Sequence, residues 1–108
     1  MSLNALRQQP GVAAQPPAET TGFVFNHTML RVKDITASLD FYTRVLGFRL
    51  VDRRDFPEAA FSLYFLAYVP EGMQVPEDDT ARRLWMAGMP GVLELTHNHG
   101  TEHQDGPV

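Results

Sequence analysis

The stretch FVFNHTMLRV, residues 23–32, alternates its side chains as a β-strand does and places a histidine and an arginine on one face. Residues i, i+2 and i+4 of a strand share a side, so His27 and Arg31 point the same way. The complete face consists of Phe23, Phe25, His27, Met29 and Arg31. This stretch predicts a first strand with a polar patch on an otherwise apolar side.

A second stretch of this kind, VLELTHN at residues 92–98, places Glu94 and Asn98 on one face and His97 on the other. Glu94 lies between two leucines in a hydrophobic run. A carboxylate in such a setting requires a cation, a hydrogen-bond donor or a proton. We therefore expect Glu94 to bind a metal, or alternatively to form a buried ion pair with Arg31.

A single amphipathic helix is predicted directly after the first strand. Asp34 is placed to cap its first turn, and Gly47 is placed to end it. The apolar positions follow a 4-3-4 spacing, which is typical of one helix face, at Ile35, Leu39, Tyr42 and Leu46.

The rest of the chain reads as further strands joined by loops. Two strands are predicted at Phe48–Asp52 and Phe61–Tyr68, with a turn at residues 53–60 and a loop at residues 69–80. A short helix is expected at Ala81–Met89. The resulting order β-α-β-β-β predicts an α+β fold in which one helix covers one face of the sheet and leaves the face with Glu94 open.

Composition limits the possible functions of these 108 residues. The net charge is −4, and Lys33 is the only lysine, which argues against a nucleic-acid surface. There is no cysteine, so any metal ligands must be nitrogen or oxygen. No apolar run approaches the roughly 18 residues of a membrane span, and no secretory signal begins the chain, so we expect a cytoplasmic protein with no membrane partner.

Three segments are predicted along the chain. Residues 1–22 are rich in proline, alanine and glutamine and are expected to form a flexible N-terminal arm. Residues 23–101 hold the βαβββ module, and residues 102–108 are expected to be a truncated linker or tail.

Five motifs together resemble glyoxalase I, the lactoylglutathione lyases of the vicinal oxygen chelate superfamily. These motifs are HTMLRVKD (27–34), SLDFYTRVLGF (38–48), DFP (55–57), FSLYFLAY (61–68) and LELTHN (93–98). The resemblance implies a module of that superfamily's βαβββ type. It also implies the isomerisation of the methylglyoxal–glutathione hemithioacetal to S-lactoylglutathione through a metal-bound enediolate.

The resemblance assigns roles to individual residues. His27 resembles the first-strand metal ligand, and Glu94 resembles the metal-bound glutamate that also moves a proton as a catalytic residue. Arg31 and Asn98 resemble the residues that hold the glutamyl carboxylate of glutathione. The hydrophobic pocket for the aldehyde-derived group corresponds to Phe56, Leu63 and Phe65.

The same resemblance implies a divalent metal and a second module. The long segment at residues 69–91 is similar to that of zinc-using members, so zinc is expected first, and nickel or cobalt second. The second βαβββ module, which completes the site in the family, is absent from this chain. It would come from a missing C-terminal half or from a homodimer partner, and the alternative function is a non-catalytic dimer that binds a small ligand.

Other polar residues are assigned simpler roles. His97, His99 and His103 are not expected to form a metal cluster, because His97 points away from Glu94. The arginines outside the site are expected to be solvated, namely Arg53, Arg54, Arg82 and Arg83.

Overall fold

A mixed four-stranded sheet forms the centre of the computed structural model, which describes residues 1–108. The strands lie in the order β1-β4-β3-β2. β1 and β4 are parallel, whereas β4 with β3 and β3 with β2 are antiparallel. The strand bounds are His27–Arg31 for β1, Arg49–Phe56 for β2, Phe61–Ala67 for β3 and Val92–Asn98 for β4.

Three α-helices accompany the sheet: α1 at Leu3–Arg7, α2 at Ile35–Asp40 and α3 at Asp79–Ala87. α2 continues as a π-helical segment, Phe41–Val45. Short 3-10 turns lie at Ala18–Thr20, Pro57–Ala59 and Thr101–His103.

α2 and its π-helical continuation together begin and end where the local signals predict. The Asp34 carboxylate accepts a hydrogen bond from the backbone N–H of Ala37 at 3.1 Å, which caps the first turn. Gly47 follows the helical segment with a φ of 80°, a left-handed conformation that glycine adopts without strain. The apolar side of this helix packs on one sheet face, against a core formed by Tyr64, Leu66 and Leu95.

α3 covers part of the opposite face of the sheet. Asp78 caps its first turn by accepting from the N–H of Ala81 at 2.9 Å. Met86 of α3 packs in one buried cluster with Phe65 of β3 and Val92 of β4. The predicted fully open face is therefore wrong in part, because α3 folds back over the sheet and buries apolar area there.

β2 is longer than its sequence predicts, and β1 is shorter. The predicted turn at residues 53–60 is wrong in its first half, because β2 continues to Phe56 and pairs with β3 along that length. The true turn is the Pro57–Ala59 segment followed by Ala60, whose φ of 58° is left-handed. β1 begins only at His27.

The two ends of the chain differ in their contacts. All side chains of residues 1–22 are exposed, and they include the short α1 helix. The C-terminal segment contacts the end of β1, because the Thr101 hydroxyl donates to the Lys33 carbonyl at 2.6 Å. No helix has the length and apolar character needed to span a membrane.

Candidate metal centre

The parallel pairing of β1 with β4 places His27 and Glu94 on one face. His27 is level with Val92, and Glu94 is level with Met29, so the two site residues are diagonal neighbours on adjacent strands. A strand spacing of 4.8 Å and a two-residue offset correspond to roughly 8 Å between their Cα atoms. Side chains of this length can converge on one ion across that separation.

A pocket of about 270 Å³ opens between these residues and α3. Its wall combines apolar side chains from β3 and α3 with polar side chains from β1, from the residue before β1, and from β2 and β4. The lining residues are Asn26, His27, Arg54, Phe65, Met86, Ala87 and Glu94.

Each of the two candidate ligands has an atom that could bind a metal and that forms no hydrogen bond with another protein group. The Nδ1 atom of His27 lies 2.7 Å from the Oδ1 atom of Asn26, whereas Nε2 has no protein partner. The half-buried carboxylate of Glu94 forms no side-chain hydrogen bond, and it forms no ion pair with Arg31. The ion-pair alternative is therefore wrong, and a nitrogen and a carboxylate oxygen facing one pocket suit a borderline divalent metal.

The centre is incomplete within one chain. No group of three or more histidine, aspartate or glutamate side chains could hold a metal ion. A catalytic zinc site in proteins uses three or more protein ligands. His27 and Glu94 alone are therefore too few for such a site, whereas two copies of the pair would offer four candidate ligands.

The predicted substrate-binding residues are distributed along the same face. Phe65 lines the pocket, level with Glu94 on the neighbouring strand. Arg31 is exposed and lies one step further along β1, level with Thr96. Neither Arg31 nor the other three residues line the pocket. Asn98 is level with Phe61, Phe56 stacks on Phe61 with ring centroids 4.7 Å apart, and Leu63 packs at the edge of the core.

The buried carboxylate of Asp52, in β2, contacts three arginines beside the pocket. Its side chain is 2% exposed, with Arg54 at 3.3 Å, Arg82 at 3.2 Å and Arg83 at 3.7 Å. The hydrogen bonds that Arg82 donates to Asp79 and Asp52 raise its pKa above the usual value. The predicted solvation is wrong for Arg54 and Arg82, whose side chains are 32% and 19% exposed, because Asp52 has to be neutralised where it is buried. The side chains of Arg53 and Arg83 are 55% and 51% exposed, as predicted.

The C-terminal histidines lie away from the pocket. His97 is buried on the α2 side, with its Nε2 atom 2.7 Å from a Glu102 carboxylate oxygen, as its opposite orientation to Glu94 predicts. The Nε2 atom of His99 lies 2.9 Å from the Ser62 hydroxyl, which donates to Asp55 at 2.6 Å. These contacts form two polar groups, both separate from the pocket.

Three pocket residues were not singled out from the sequence: Asn26, Arg54 and Met86. A local signal existed for Asn26, since asparagine is disfavoured in strands and here directly precedes His27. Arg54 lay in a predicted turn. Met86 could not be assigned to the pocket, because the helix pattern does not reveal which sheet face α3 covers.

Comparisons with known proteins agree with this fold. The family model described as Glyoxalase/Bleomycin resistance protein/Dioxygenase superfamily matches residues 24–108. The chain belongs to this superfamily. The resemblance noted in the sequence and the α+β module are thereby confirmed.

Two bacterial relatives match nearly the whole chain. The chain is 70% identical over 102 residues to a lactoylglutathione lyase of Pseudomonas putida. The match covers 94% of this chain and 58% of that protein. The corresponding enzyme of Pseudomonas aeruginosa is 54% identical over 97% of the chain and 58% of its own length. The chain thus spans little more than half the length of these relatives.

Solved structures of glyoxalase I share the module. The trypanothione-dependent glyoxalase I of Leishmania major superposes with a TM-score of 0.51 at 34% identity, covering 77% of the chain and 48% of that structure. Glyoxalase I from Zea mays superposes with a TM-score of 0.50 at 31% identity, covering 69% of the chain and 21% of that structure.

Proposed function

We propose that this chain supplies half of the active site of a metal-dependent lactoylglutathione lyase. The proposal rests on two potential metal-ligating groups, His27 Nε2 and the Glu94 carboxylate, which line one pocket and have no side-chain hydrogen-bond partner. The proposed substrate is the hemithioacetal of methylglyoxal and glutathione, and the product is S-lactoylglutathione. Similarity to proteins of that name over nearly the whole chain supports this choice.

His27 and Glu94 would hold a divalent metal, with zinc as our first choice and nickel or cobalt next. A bound divalent metal stabilises negative charge on neighbouring substrate oxygens, which acidifies the adjacent C–H bond. An imidazole nitrogen and a carboxylate oxygen are suitable ligands for all three ions. The buried apolar neighbours Phe65 and Met86 limit water at this side of the pocket.

Glu94 would also move a proton. The isomerisation removes a proton from the carbon that carries sulfur and hydroxyl and returns one to the neighbouring carbon, so no external oxidant or reductant is required. A carboxylate at hydrogen-bond distance is suited to both transfers. Within this chain, Glu94 is the only carboxylate that lines the pocket.

The remaining proposed contacts extend along the open face. Arg31 and Asn98, both exposed at neighbouring strand positions, would bind the glutamyl carboxylate of glutathione. Phe65, with Leu63 and Phe56 beyond it, would contact the aldehyde-derived group.

A second βαβββ module would complete the ligand set, either from further chain or from a second copy. In a homodimer, two copies of His27 and Glu94 would supply two imidazoles and two carboxylates. We expect such a dimer to depend on the metal. Sizing chromatography with and without a chelator measures this, and equal mass under both conditions would contradict it.

Zinc binding tests the site directly, by thermal shift and by competition with a chromophoric chelator. We expect His27→Ala and Glu94→Gln each to weaken zinc binding at least about 10-fold, because each removes one ligand. Two exposed residues provide matched controls, His103→Ala and Glu71→Gln, which should bind as the unchanged chain does. Equal zinc affinity in all five proteins would rule out the proposed centre.

Catalysis is tested separately, in this chain combined with a second βαβββ module. Turnover of the hemithioacetal should fall by about 10²-fold or more in Glu94→Gln, the usual scale for loss of a proton-transfer group. Zinc binding without turnover in any assembly would instead favour a ligand-binding dimer of the same fold.

A further inference from the structure

The side chain of Asn26 connects the candidate metal ligand to the C-terminal end of α3. Its amide nitrogen lies 2.7 Å from the Met89 carbonyl oxygen, 3.0 Å from that of Met86 and 3.2 Å from that of Ala87. The last carbonyls of a helix lack their usual partners within the helix. The Met86 carbonyl accepts from the Met89 N–H at 3.1 Å, and Asn26 supplies a further donor to it and to the carbonyls of Ala87 and Met89. On the other side, the Asn26 Oδ1 atom is 2.7 Å from the Nδ1 atom of His27.

These contacts determine which hydrogen atoms are present. Backbone carbonyls only accept hydrogen bonds, so the amide group that faces them must be the NH₂ of Asn26. The atom that faces His27 is then the amide oxygen, which also only accepts. The Nδ1 atom of His27 must therefore carry a hydrogen. A neutral imidazole carries one, so Nε2 holds the free lone pair.

The backbone of Asn26 is itself held in place. Its carbonyl accepts from the N–H of Val92 at 2.7 Å, and the neighbouring carbonyl of Phe25 accepts from Gly91 at 3.0 Å. The start of β4 and the end of α3 are thus both bonded to this one residue. The side chain is half-buried, so water competes only partly for its contacts.

We propose that Asn26 is the positioning residue of the metal centre. It holds His27 in the tautomer protonated at Nδ1, which leaves Nε2 as the ligand atom. It also links the orientation of this ring to α3, whose residues Met86 and Ala87 form the pocket wall. The consequence for metal affinity rests on the proposed function, whereas the tautomer does not.

The tautomer is measured on the unchanged chain without metal. Long-range ¹H–¹⁵N correlation spectra at about pH 8.5, some two units above the usual pKa of histidine, report which ring nitrogen carries the hydrogen. His27→Ala identifies the signals, and the exposed ring of His103 provides an internal reference. We expect protonated Nδ1 and unprotonated Nε2 for His27. Protonated Nε2, or signals averaged as for His103, would overturn the proposal.

Two substitutions separate the contacts of Asn26. Asn26→Leu removes both and should weaken zinc binding about 10- to 100-fold, the usual effect of losing a group that orients a ligand. Asn26→Asp keeps an acceptor for His27 Nδ1 while losing the donor to the α3 carbonyls. It should retain the tautomer and bind zinc more tightly than Asn26→Leu. The control is Asn4→Leu, at an exposed position in α1.

The outcomes distinguish this proposal from the proposed function. Zinc affinity that falls in His27→Ala but is unchanged in Asn26→Leu would refute the positioning role and leave the metal centre intact. Zinc affinity unaffected by His27→Ala would refute the metal centre, while the tautomer spectrum would still decide the role of Asn26.

Discussion

Replacing Asp52 with asparagine should destabilise the fold by about 2–3 kcal/mol. Breaking a buried ion pair by removing one partner usually costs about 3–5 kcal/mol, because a charge is left without compensation. Two features reduce the cost here. Arg82 keeps Asp79 at 2.6 Å, and the side chains of Arg54 and Arg83 are 32% and 51% exposed. The destabilisation that remains arises because the carboxylate that joins β2 to α3 is lost.

Urea and thermal unfolding of the chain measure this change. Trp85 is the only tryptophan and lies half-buried in α3, so its fluorescence reports the element that Asp52 holds. For a domain of this length, about 2–3 kcal/mol corresponds to a midpoint lower by roughly 9–13 °C. The matched control is Asp40→Asn, whose exposed pair with Arg44 should contribute little. A change below about 0.5 kcal/mol in Asp52→Asn would refute the reasoning and indicate solvated arginines.

Three further substitutions have defined outcomes. Ala60→Gly should stabilise the chain by about 0.5–1 kcal/mol in urea unfolding, because glycine adopts the φ of 58° without the steric cost of a Cβ atom; a loss of stability would contradict this. The Ser62 hydroxyl holds the pKa of Asp55 below its usual value, so this carboxylate contributes stability above about pH 4 that is lost as the pH falls through the lower folded pKa. In Asp55→Asn, the free energy of unfolding should therefore decrease less as the pH is lowered into the acid range. A decrease equal to that of the unchanged chain would count against the interaction. Tyr68→Phe removes the hydroxyl that donates to the Leu46 carbonyl at 2.6 Å, and about 0.5–1 kcal/mol less unfolding free energy is expected; unchanged unfolding would indicate that water replaces the bond.

Elements with strong local signals were predicted well. β4 has the predicted bounds of residues 92–98, because a hydrophobic run around Glu94 starts directly after Pro90 and Gly91 and the strand stops shortly before Gly100. α2 begins after Asp34, as a capping side chain predicts. β2 was predicted too short, because aspartate is depleted in strands, and its last residues are held by pairing with β3. Such pairing depends on residues distant in the chain.

The candidate site was only partly predictable for the same reason. The face shared by His27 and Arg31 follows from a period of two. Nothing in that period shows that α3 would cover this face, or that Asp52 would bury its carboxylate among arginines. Both result from long-range packing.

The sequence alone determined that His27 and Glu94 each occupy a defined face of its own strand, since backbone dihedral angles set that alternation locally. Only the tertiary structure decided that the strands carrying them are parallel neighbours with both residues facing one pocket. It also decided that Asn26 holds the imidazole by one ring nitrogen. These features require hydrogen bonds and apolar contacts between segments some sixty residues apart, which form only when the whole sheet and α3 pack together.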